Sequence, residues 1–179
     1  MPYDEMLSMM KGEALSSSQG IIAKEYIAKL DGYWKKYGGK IVTAVEKASG
    51  LKFKQDIDCY VVSDMAFEAI SHPFTLKMCS NLGRLNGIMV HELLHVLFVQ
   101  HHEKILPVLN GLPGDHHDKV HFPVLLCERK VFENLHGSYK REKRVEDLDE
   151  VWRNVNKVYK RFKSCRKGVV PFLEDYFVS

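Results

Sequence analysis

His91, Glu92 and His95 belong to the pentapeptide HELLH, inside the apolar run GIMVHELLHVLFVQHH. On a helix the two histidines are i and i+4, so both imidazoles leave one face. Two imidazole nitrogens at that spacing can bind one zinc ion at about 2.1 Å each. Glu92 follows the first histidine directly. A carboxylate there can sit beside a metal-bound water and take the proton that zinc has made acidic. Ile88, Met89, Val90, Leu93, Leu94, Val96, Leu97, Phe98 and Val99 surround these polar residues almost completely, which predicts a central buried helix. Two histidines and a glutamate in a dry core need partners. The bland alternative to a metal is a pair of hydrogen-bonded core histidines.

HELLH resembles the zinc-binding helix of the zincin metallopeptidases. The resemblance implies one Zn2+ per chain, His91 and His95 as ligands and Glu92 as general base. It implies an α+β, zincin-like fold: a small mixed sheet with an edge strand beside the central HExxH helix, and packing helices at both ends. The activity implied is hydrolysis of peptide bonds in a peptide or protein substrate, by a zinc-bound water that Glu92 activates. The runner-up is a zincin-fold regulatory or interaction protein with restricted or no proteolysis.

The third ligand decides the subfamily. Metzincins carry HExxHxxGxxH, and His101 stands at the third-histidine position, but Phe98 replaces the glycine. Phe98 disfavours the left-handed turn that a glycine permits, so the helix should continue through it. On a continuous helix His102 shares the face of His91 and His95, yet it lies about 10 Å further along the axis. Both His101 and His102 are therefore expected at the surface, at a helix end. The other route is a glutamate from the following helix, read from HFPVLLCERKVFENLHG with Pro123 in its first turn and Gly137 as its stop. Val124, Leu125, Val131 and Phe132 flank Glu128 at three and four residues, which places it within the apolar stripe. Glu133 lies about 140° around that helix, beside Arg129 and Lys130, in an ion-pair setting. Glu128 is the expected third ligand, with a core glutamate bonded to a histidine or a backbone amide as the alternative. Two histidines plus this glutamate is the gluzincin pattern, and ERKVFENL resembles the ligand helix of ImmA/IrrE-like members. The thermolysin-like members have an aspartate four residues after the glutamate, where this chain has Phe132. The loop GDHHDKVHF adds His116, His117 and His121. By resemblance one of them stabilises the oxyanion. His121 is the alternative to Glu128 as ligand, and His116 and His117 are expected in solvent.

The rest of the chain must position these groups. Ile22, Tyr26, Leu30 and Trp34 predict an amphipathic helix from about 18 to 37, ended by Gly38-Gly39. A shorter helix through Ile41, Val42, Val45 and Ala48 should end at Gly50. LKFKQDIDCYVVSD alternates as one or two strands, and SHPFTLKMC as another, with Pro73 favouring an edge. By resemblance, Pro73–Met78 is the edge strand that lines the cleft and to which a peptide adds by main-chain hydrogen bonds. Ser80-Asn81 can cap the motif helix, expected over about 83–102. VEDLDEVWRNVNKVYKRF is a last amphipathic helix, acidic at its start and basic at its end.

At 179 residues, 45% hydrophobic and 27% charged, the chain reads as one globular domain over 1–179. Residues 1–17 are expected to be loosely structured and 138–179 to form a C-terminal helical extension. No run approaches the ~18 apolar residues of a membrane span, and no secretory signal opens the sequence. Cys59, Cys79, Cys127 and Cys165 stand far apart, as thiols do in a reducing compartment, so the expected location is the cytoplasm. The net charge of +3 divides into +7 over 129–168 and −4 elsewhere. A solvated helix face explains that run more simply than nucleic acid, which is the less favoured partner.

Overall fold

The computed structural model describes residues 17–79, 82–139 and 148–178. Expectations for 1–16, for the Ser80-Asn81 cap and for 140–147 lie outside the described residues. The fold is mixed α+β and mostly helical, with one three-stranded sheet among the described residues.

Helix α1 runs unbroken over Ser17–Ser49, where two helices were expected. Gly38 does not end it, because it makes room for a ring. A Cβ at Gly38 would stand 2.6 Å from the indole of Trp34, one turn earlier. Gly50 is the terminator, at φ 77, with its N–H donated to Glu46 O at 2.8 Å.

The alternating stretch after Gly50 is strand only at β1, Tyr60–Val62. Its earlier half is a largely exposed loop, three of whose backbone groups are taken by side chains. Phe53 N–H donates to Glu46 Oε1 and Lys54 N–H to Gln100 Oε1, while His101 Nε2 donates to Lys52 O. Alternating burial alone does not make a ladder; the backbone partners decide it.

β2 (Ala69–Ser71) was not foreseen. It pairs antiparallel with β3 (Phe74–Lys77), which pairs parallel with β1, giving the order β1-β3-β2. The expectation that Pro73–Met78 forms an edge strand is therefore overturned, for the strand there is central. Pro73 precedes it, in the turn from β2, so the missing N–H removes no ladder bond. The edge beside the motif helix is β2.

That helix, α2, spans Leu82–Gln100, and a short helix α3, His102–Gly111, follows. α4 covers His116–His136 and ends at Gly137, φ 75, as expected. It starts earlier than Pro123 indicates. Asp115 caps it, accepting the Asp118 N–H at 2.9 Å, so most of the expected polar loop is helix. α5 spans Asp149–Ser164 and buries Val151, Trp152, Val155, Val158, Tyr159 and Phe162 against α4. A five-residue helix, α6 (Val169–Leu173), and a π-helical turn, Glu174–Val178, close the described chain. Val45, Leu94, Leu97, Leu125, Leu126 and Phe162 are fully enclosed where α1, α2, α4 and α5 meet. No helix among the described residues is long and apolar enough to cross a membrane.

Candidate metal centre

α2 is enclosed on most sides, as its sequence requires: Val90, Leu94 and Leu97 have no exposure, whereas Val99 is exposed. This burial carries His91 inside, at 2% exposure. His95 and Glu92 are half-buried on the same helix. His91 Nε2 and His95 Nε2 lie 3.1 Å apart.

α4 crosses α2 and supplies two further groups. Because the helix begins at His116, His121 lies within it, a turn after His117. His121 Nδ1 donates to His117 O at 2.9 Å, which leaves Nε2 for another partner. The His121 ring stands 5.5 Å from that of His91 and 5.0 Å from that of His95, centroid to centroid. One nitrogen from each of His91, His95 and His121 lies within 4.8 Å of the other two.

Glu128, two turns further along α4, is 4% exposed, so the apolar flanks were a sound sign of burial. Its Oε2 accepts from His91 Nδ1 at 2.8 Å. The carboxylate thus holds the ring nitrogen opposite the one that faces His95. Its Oε1 accepts from Tyr139 Oη at 3.1 Å.

The donor set suits zinc. Two nitrogens at about 2.1 Å from one tetrahedral ion stand about 3.4 Å apart. The observed 3.1 Å between His91 and His95 is near that spacing. Hydrogen bonds at Nδ1 of His91 and His121 fix the tautomer that leaves Nε2 as a lone-pair donor, the usual outer support of a ligating imidazole.

The other candidates are placed apart. Glu133 pairs with Arg129 at 3.2 Å and Lys163 at 2.7 Å, away from the histidines. Its carboxyl is held below the usual range; burial, the largest single influence, pushes it up, and the bonds from Lys163 and Arg129 outweigh that. His102 is exposed, but His101 is buried between the loop and α3, not at the surface. His116 and His117 are exposed as expected, although the His117 ring leans on His121 at 4.2 Å. Asp115, His117 and Asp118 also converge at the surface. Sequence reasoning missed Tyr139, since nothing local marks a residue three positions past a helix end as a partner of that helix.

Comparison with protein families, with characterised proteins and with solved structures finds no match, so the chemistry of the site rests on its own geometry.

Proposed function

We propose that this chain is a zinc-dependent peptidase of zincin type with a three-histidine site. His91, His95 and His121 would hold the metal. Glu128, expected as third ligand, instead supports His91 from behind. The ligand set then departs from the gluzincin pattern. The observation that carries this reading is the convergence of three imidazoles on one point while a buried carboxylate occupies the far nitrogen of His91.

Zinc in such a site polarises a carbonyl and makes a water nucleophilic at neutral pH. The chain's own residues do the rest. The Nδ1 bonds to Glu128 and to His117 O keep two ligand rings in one tautomer and one orientation. Glu92 accepts the proton of the attacking water and returns it to the leaving amine. The β2 edge, flanking α2, offers main-chain groups to an extended peptide.

The test is zinc affinity measured side by side for four variants. His121→Ala should lose the metal, as His91→Ala should. Glu128→Gln should retain it with affinity about 10–100-fold weaker, the usual cost of an outer support. His101→Ala should leave it unchanged. Full loss in Glu128→Gln with His121→Ala unaffected would restore the carboxylate as ligand. Wild-type protein that binds zinc yet cleaves nothing in a broad peptide library favours the regulatory reading.

A further inference from the structure

Both oxygens of the buried Glu128 carboxylate are held, one by His91 and one by Tyr139. A carboxylate gripped at a single oxygen can swing about its last torsion; two donors on different oxygens fix its plane. Tyr139 reaches it from eleven residues further along the chain. The left-handed Gly137 ends α4 and turns the chain back toward the helix that it has just left. The tyrosine ring is itself clamped. It stacks on Trp152 at 5.3 Å and 27°, and meets Phe132 at 5.9 Å. Trp152 is buried in α5.

We propose that Tyr139 is a positioning residue for the metal centre, acting through Glu128 on His91. This rests on the metal reading above. Tyr139 sets the plane in which the carboxylate meets His91 Nδ1, and so the direction in which Nε2 points. The stack on Trp152 makes that alignment depend on α5 being docked, which ties α5 to the metal. A phenol that merely satisfied a buried carboxylate would affect folding but not the metal.

The probe is Tyr139→Phe, which keeps the stacked ring and removes the hydroxyl. Zinc affinity should fall about 3–10-fold, less than for Glu128→Gln, because the group acts one bond further out. The visible absorption of the cobalt-substituted protein should shift, reporting a changed ligand field. In a Glu128→Gln background the same change should cost no further affinity, since the two act through one path. Wild-type affinity and an unchanged cobalt spectrum in Tyr139→Phe overturn the inference alone. So does a loss that adds fully to that of Glu128→Gln. A wild-type chain that takes up neither zinc nor cobalt overturns the metal reading, and this inference with it.

Discussion

Glu92 is the only carboxylate within the described helix that carries His91 and His95. As the proposed general base it must accept a proton, which an amide cannot do. Glu92→Gln should therefore keep zinc and lose peptide hydrolysis by about 10²–10⁴-fold; a variant with undiminished turnover would remove Glu92 from the mechanism. Glu133 supplies a contrasting carboxylate, held below its ordinary range by Lys163 and Arg129 against the pull of burial. A depressed carboxyl contributes stability above its unfolded value of about 4.3, and the contribution is lost as pH falls through the lower folded value. Urea unfolding should find Glu133→Gln destabilised by less than about 1 kcal/mol at pH 7, Lys163 being mostly exposed. That gap should narrow at about pH 3, below the unfolded value. A gap of equal size at both values would assign the effect to packing instead.

Adjacent glycines in α1 should respond in opposite directions. Gly39 has open space where a Cβ would go, so Gly39→Ala should stabilise by about 0.5–1 kcal/mol through helix propensity alone. Gly38→Ala gains the same propensity but drives its methyl into the Trp34 ring, 2.6 Å away. It should be neutral or destabilising, and thermal melting of the two variants separates the cases. Gly168 marks a tighter constraint between elements. At φ 95, its missing Cβ would lie 2.3 Å from Ser49 O, where the start of α6 crosses the end of α1. Backbone cannot swing aside as a side chain can, so Gly168→Ala should destabilise more than Gly38→Ala does.

At the scale of the molecule, the proposed site joins two helices distant in sequence, with His91 and His95 on α2 and His121 on α4. A ligand that binds only the folded chain stabilises it by about 2.7 kcal/mol at a hundredfold excess over its Kd. For a chain of this length that is roughly 5–10 °C in melting temperature. A chelator should lower the melting point by about that much in the wild type, and His91→Ala should melt at one temperature with or without chelator. The basic segment 129–168 is, among its described residues, partly turned inward. Lys163 pairs with Glu133, Arg129 lies over the Tyr159 ring at 3.9 Å, and Lys130 donates to Cys165 O at 2.6 Å. These contacts fasten α5 and the segment after it onto α4.

The sequence by itself determined the motif helix, its burial and the two histidines on one face, because a 3.6-residue period and an apolar surround are local properties. It also marked Glu128 as buried, by the four apolar residues that flank it. Which nitrogen the carboxylate would meet is not local. That depends on how α4 lies across α2, and the crossing brings His121 to the point where His91 and His95 converge while placing Glu128 behind His91. The same distinction separates the other outcomes. Gly50 and Gly137 ended helices as read, because their left-handed conformation is a local event. Gly38 did not, because a ring one turn away needed its space. Phe74–Lys77 read correctly as a strand, but its central place was fixed by β2, three residues whose pairing no local pattern announced. Period and propensity choose elements; only their packing chooses partners.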